Sequence, residues 1–334
     1  VLVPAVLLLL LCGRATAFSL DGVWPDPNTL SGPAPIAVDL QSSDPFTPAD
    51  AGLGARRVVH ALLYLPPGAS PSRPVPAIVL LHGSVGNYAE RGFRYGLPLA
   101  SLGVAVLVAE TYASRPDLGR SFIGRALHIT ETMYDADAYA ALDLLSRRPD
   151  IDRAHIGLIG FSYGGMATMY AMQRTLADRL ARPGERFAAF VSYYGPCIAR
   201  FDDVRTTGAP LLMMYGGRDE LIHPNRCDAV ASDLRRGGSS VDIRVFPDAV
   251  HQWDGEMAPR LIGRHLADCD FRVDPHGIVH DRNTGIVMTG PLTRGIILGL
   301  CTGSRPWPIG RDNAVVARSD AALGEFLKAR GFKR

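Results

Sequence analysis

The 334-residue chain carries 35 Lys and Arg against 33 Asp and Glu, a formal net charge of +2. That balance excludes the strongly basic face of a nucleic-acid binder, and the length suffices for one large α/β domain or two small ones. Only Lys328 and Lys333 are lysines, and the arginines are scattered, which marks compositional bias and not a binding patch.

Residues 1–11 are almost wholly apolar and lead into Cys12-Gly13-Arg14-Ala15-Thr16-Ala17. An apolar run closed by a small-x-small tripeptide reads as a secretory signal peptide over 1–17; the run is too short to span a bilayer. A lipid anchor at Cys12 is disfavoured by the bulky Leu11 before it. Cleavage near Ala17 would place the protein outside the cytoplasm, periplasmic or extracellular, and leave Cys197, Cys227, Cys269 and Cys301. An even number of cysteines in an exported chain permits two disulfides. Of the three pairings, Cys197 with Cys227 and Cys269 with Cys301 are favoured, since each pair brackets a loop-rich stretch; buried free thiols are the alternative. No spacing among them resembles a zinc or redox motif.

Residues 18–56, rich in Pro, Ser, Asp and Gly, read as an extended lead-in, and 57–334 as a single α/β domain. Strands are expected at 57–65, 76–81, 104–109, 156–159, 187–194, 210–215 and 241–246. Most are short continuous apolar runs, the pattern of strands covered on both faces of a parallel sheet. Apolar residues at helical spacing mark 132–147 and 227–236 as crossover helices. Strands alternating with helices indicate an open, mostly parallel sheet with helices on both faces and no large cap. The stretch 252–312 is too long for a simple loop and reads as an insertion stapled by Cys269 and Cys301. A final helix is expected over 319–329, capped by Ser319 or Asp320.

The chemistry gathers at strand ends. The run 156–159 leads into Gly160-Phe161-Ser162-Tyr163-Gly164-Gly165 and then a helical stretch, the context of a strained turn that lifts a serine above a sheet. A serine needs a base, and the base needs an acid to fix its tautomer. Asp219 follows the strand at 210–215, and His251 follows the strand at 241–246, giving the order Ser, acid, His with room for the intervening elements. Glu220 and Asp248 are the rival acids, and His223 comes too soon after the acid loop to be the base. Oxyanion donors are expected from the backbone N–H of Tyr163 and, after the 76–81 strand, of Ser84, with Val85 as the alternative. His82 reads as a brace for that turn. Tyr112, Tyr163, Tyr194 and Trp253 stand beside strand ends as candidate pocket walls, with Tyr163 and Trp253 foremost.

Together, 160–165, Gly216-Gly217-Arg218-Asp219 and Asp248-Ala249-Val250-His251, with His82-Gly83 upstream, resemble the dienelactone hydrolase family of the α/β-hydrolase superfamily. The resemblance covers about 57–251 and the last helix, and implies a compact α/β-hydrolase fold with Ser162, Asp219 and His251 as its triad. It implies hydrolysis of a small ester or lactone through an acyl-enzyme, with no metal or organic cofactor; the charge balance already argues against nucleic acid, and no protein partner can be inferred. The founding members use cysteine on a cyclic lactone in the cytoplasm; Ser162 and the export signal point instead to exported, serine-using relatives. Arg115 falls where a family anion-binding arginine lies, and a surface arginine is the other reading. Peptidase chemistry, acyl transfer to an alcohol, and a non-catalytic binding role are the competing functions.

Overall fold

The structure, a computed structural model, describes residues 18–86 and 88–333; the expected signal peptide lies outside them. Fourteen strands are found among the described residues: β1 Ile36–Asp44, β2 Ala55–Tyr64, β3 Val75–Leu81, β4 Ala105–Ala109, β5 Ile151–Phe161, β6 Ala189–Tyr193, β7 Ala199–Phe201, β8 Leu211–Gly216, β9 Val241–Phe246, β10 Arg260–Ile262, β11 Phe271–Val273, β12 Val279–Asp281, β13 Val287–Met288 and β14 Trp307–Ile309. The α-helices are α1 Tyr88–Arg91, α2 Leu97–Ser101, α3 Phe122–His128, α4 Glu131–Ser146, α5 Tyr163–Ala171, α6 Arg174–Leu180, α7 Pro224–Arg236, α8 Pro291–Cys301 and α9 Asn313–Lys328, with a π-helical turn over Gly92–Gly96.

Eight strands form the central sheet in the order β1-β2-β4-β3-β5-β6-β8-β9. β1 and β2 join antiparallel, and every pairing from β4 to β9 is parallel. This is the α/β-hydrolase arrangement. The apolar runs of β3, β4, β6 and β8 are buried at every residue, as a sheet covered on both faces requires. Successive side chains point to opposite faces: Ala77, Val79 and Leu81 enter the core that holds α4 and α5, whereas Ile78 and Leu80 enter the one formed with α9 and Tyr95. Each fully buried Val, Leu or Ile contributes about 1.5–3 kcal/mol, so these central strands anchor the rest.

Two expectations shift. The 18–56 stretch contributes β1, an edge strand that stays largely exposed and carries Gln41, Ser42, Ser43 and Asp44, so hydrophobicity did not announce it. The last helix begins at Asn313, not 319. Asp312 caps it, accepting the N–H groups of Ala314 and Val315 at 2.9 and 3.1 Å, while Ser319 is buried mid-helix.

The insertion is built from short pieces. β10 pairs with β14, and β13, β12 and β11 extend from β7 to make a four-stranded sheet. Phe271, Val273, Val279, Met288 and Ile297 join the same apolar core as α4 and α5, so the segment buries its apolar side chains on the main body. Cys269–Cys301 closes it, and Cys197–Cys227 ties the chain after β6 to α7, both as expected. Among the described residues no helix is long and apolar enough to cross a membrane.

Candidate active site

β5 delivers Ser162 at the carboxyl edge of the sheet in the left-handed backbone region, φ 52° and ψ −113°. Such a conformation costs about 1–3 kcal/mol and persists only where neighbours impose it. The Ser162 N–H donates to the Tyr193 carbonyl at 2.9 Å, and its carbonyl accepts from Met166 N–H at 2.9 Å as α5 begins. The flanking glycines are sterically obligatory: a Cβ on Gly160 would lie 2.0 Å from the Gly164 carbonyl oxygen, and one on Gly164 would lie 2.6 Å from that of His82.

Three loops from distant parts of the chain meet here. Ser162 Oγ is 2.8 Å from His251 Nε2, and His251 Nδ1 is 2.7 Å from Asp219 Oδ2. The second carboxylate oxygen of Asp219 accepts the Leu221 N–H at 3.0 Å, which fixes the acid's orientation. All three side chains are buried. With Nδ1–H directed at a carboxylate, Nε2 is left free to take the serine proton, the arrangement that makes a hydroxyl nucleophilic near neutrality. Of the rivals, Glu220 pairs with Arg305 and His223 Nε2 bonds the Ala267 carbonyl at 2.9 Å, which holds the insertion.

The turn after β3 packs directly on this elbow. A Cβ on Gly83 would sit 3.4 Å from Ser162 Cβ. Gly86 N–H closes the turn on the Gly83 carbonyl at 3.0 Å, leaving Ser84 and Val85 at its tip. Tyr163 is the first residue of α5, where N–H groups have no intrahelical acceptor. His82 lies beneath the turn, fully buried, with Nδ1 2.8 Å from the Gly83 carbonyl and its ring edge-on to Tyr112 and Tyr134. Burial pushes its imidazole down to about 4, so the brace is neutral.

The chain matches the Dienelactone hydrolase family over residues 59–261, a span that holds the whole triad. It belongs to that family. Over 221 residues it is 26% identical to dipeptidyl peptidase 8 of Homo sapiens, taking in 58% of this chain and 24% of that protein. Over 241 residues it is 32% identical to NocK of Nocardia uniformis subsp. tsuyamanensis, covering 64% of this chain and 63% of that one. The chain thus spans less than two thirds of the length of either. The dienelactone hydrolase-like promiscuous phosphotriesterase P91 from metagenomic libraries shares the fold, with a TM-score of 0.51 at 21% identity over 89% of this chain and 99% of that structure.

In this dienelactone hydrolase family member the surroundings of the triad correct several expectations. Arg115 is neither an anion-binding group nor on the surface. It is wholly buried, and its five N–H groups are consumed by Asp44, Asp137 twice, and the carbonyls of Thr111 and Ser43. Burial would lower its pKa, but Asp137 and Asp44 outweigh that and raise it. Trp253 is core, with Nε1 on Ser319 Oγ at 3.1 Å; the tryptophan against His251 is Trp307, at a ring separation of 5.3 Å. The insertion thereby props the base, and β14 also bridges to it in register at Ile309. Tyr112 is buried under the Gly83–Gly86 turn, its phenol pushed up to about 12 by burial. The Tyr163 side chain is turned away from the nucleophile: its hydroxyl donates to the Ile129 carbonyl at 3.1 Å and accepts from Arg294 at 3.0 Å.

Besides Arg115 with Asp137 and Asp44, two more buried ion pairs were invisible in the sequence. Arg294 on α8 meets both oxygens of Glu131 at 3.1 Å, and Arg91 meets Asp254. Asp254 sits only three residues beyond His251, the one local hint that its loop carried more than the base. Among the described residues no group of three or more His, Cys, Asp or Glu is placed to hold a metal ion.

Proposed function

We propose that the protein hydrolyses carboxylic esters, lactones included, through an acyl-enzyme on Ser162. The carrying observation is the continuous hydrogen-bonded path from Ser162 through His251 to Asp219, built on a strained elbow. Ser162 Oγ attacks the carbonyl carbon as its proton passes to His251 Nε2. The tetrahedral oxyanion is received by the backbone N–H of Tyr163 and of Ser84 or Val85, a contribution of about 3–4 kcal/mol for each well-placed donor. Collapse breaks the ester C–O bond, and the imidazolium returns its proton to the departing alcohol. His251 then takes a proton from water as its oxygen attacks the acyl carbon, and returns that proton to Ser162 Oγ as the acyl–serine bond breaks and the carboxylic acid leaves. Asp219 holds the tautomer throughout and stabilises the imidazolium.

Two disulfides support an oxidising compartment, in keeping with the apolar leader and export. The likeness to dipeptidyl peptidase 8 gives the peptidase reading its weight. A panel of nitrophenyl esters set beside aminoacyl nitroanilides separates the two. Turnover of the esters, with loss in Ser162→Ala, is expected; hydrolysis of the anilides alone would reverse the assignment. Added acceptor alcohols would expose acyl transfer as new ester product.

A further inference from the structure

We propose that Tyr194, gripped by the buried Arg91–Asp254 ion pair, is a positioning residue that holds His251 in line with Ser162. The inference rests on the hydrolase reading above. Tyr194 directly follows β6 and takes a left-handed backbone, φ 40°, rare for a bulky residue. Its N–H is pinned to the Met214 carbonyl at 2.7 Å. The ring stands edge-on to the His251 ring, centroids 4.7 Å apart. The phenol donates to Asp254 Oδ1 and accepts from Arg91 Nη2 at 3.0 Å.

Asp254 is fully buried and also accepts from Arg91 Nη1 and from the Tyr95 hydroxyl at 2.6 Å. Burial alone would raise its carboxyl, but Arg91 and the two phenols outweigh that and hold it below the usual carboxylate range. The Arg91 guanidinium in turn lies over the Phe161 ring, 3.9 Å from its centroid. One charge pair therefore grips three points: the residue before the nucleophile, the loop that carries the base, and the ring against the base.

Stability alone does not account for such a cluster, because a buried ion pair is commonly matched or bettered by packed apolar side chains. What it supplies is a fixed geometry. A misplacement of about 1 Å at reacting groups costs about 10²-fold in rate, and the strained Tyr194 backbone would relax if its hydroxyl lost both partners.

The test uses the full chain with disulfides intact. Tyr194→Phe keeps the ring and the Arg91–Asp254 pair but removes the two hydroxyl bonds; Arg91→Met combined with Asp254→Leu removes both charges together. A positioning role predicts kcat on nitrophenyl esters reduced about tenfold in Tyr194→Phe and more in the paired variant, with KM within about twofold, in protein shown by circular dichroism to be folded at the assay temperature. Kinetics within twofold of the parent in a folded variant would overturn it. Should the paired variant not fold, Tyr194→Phe decides alone. A second readout does not depend on turnover: the low-field proton resonance of His251 Nδ1–H shared with Asp219. Broadening or loss of that signal in Tyr194→Phe supports the proposal even if the substrate class is wrong, and an unaltered signal counts against it.

Discussion

His82 offers a stability change of calculable size. Its ring is sealed between Tyr112 and Tyr134, with centroids 4.8 and 5.3 Å away, and Nδ1 faces the Gly83 carbonyl. In the unfolded chain the imidazole titrates near 6.5; in the fold, burial brings it down to about 4. Between those values the unfolded chain binds a proton that the folded one refuses. Its stability is therefore complete above about pH 6.5 and falls as pH drops toward about 4. At about 1.36 kcal/mol for each pH unit, the full window is worth about 3 kcal/mol. His82→Asn places an amide donor near the position of Nδ1 and cannot titrate. Urea unfolding of both proteins at about pH 7.5, 6, 5 and 4.5, with disulfides intact, should show the parent losing about 2–3 kcal/mol more than the variant across the series. Parallel curves for the two would refute the reasoning.

Asp135 should behave with the opposite sign. It is wholly buried on α4 with neither carboxylate oxygen bonded within the protein, and burial, reinforced by Glu131 and Asp137, holds it well above the carboxylate range. The stability it permits is present below about pH 4 and lost as pH rises, so Asp135→Asn is expected to stabilise by about 1–3 kcal/mol near pH 8 and little near pH 4; urea midpoints that fall at pH 8 would contradict this. Arg294→Met strands Glu131 in a mostly buried site and should cost about 3–5 kcal/mol, whereas pairing it with Glu131→Met should recover most of the loss. Equal midpoints for the single and paired variants would show that the ion pair is not what holds α8 down. Replacing Cys269 and Cys301 together by Ala opens a 32-residue separation and should cost about 3–4 kcal/mol by chain entropy. Fluorophosphonate labelling of the folded double variant should remain, since the hydrogen bonds that join Ser162, His251 and Asp219 involve neither cysteine.

The parts of the fold legible in the sequence are those whose physics is local. β3, β4, β6 and β8 are buried at every residue and almost wholly apolar because both faces are covered, and that run is readable without a partner. The elbow declares itself because Gly160 and Gly164 have no space for a side chain. Asp219 and His251 follow from their places at strand ends. What stayed hidden depends on contacts between distant segments. β1 pairs along a largely exposed edge, where polar residues are tolerated. The insertion's strands are two or three residues long, too short for a period to show. The roles of the aromatic and arginine side chains were inverted for the same reason: closeness in sequence to His251 put Trp253 beside it, while the fold brings Trp307 and Tyr194 there. Arg91–Asp254 and Arg294–Glu131 each span 163 residues, and no local pattern announces either pair.

The nucleophile itself can be caught in the act. The protein would be mixed with a nitrophenyl ester, quenched in acid during turnover, and digested for mass spectrometry. The acyl group is expected on the peptide containing Ser162, with nothing there in Ser162→Ala. Ester turnover with that serine unmodified, or with the acyl group on another residue, would contradict the assignment of Ser162 as the attacking group.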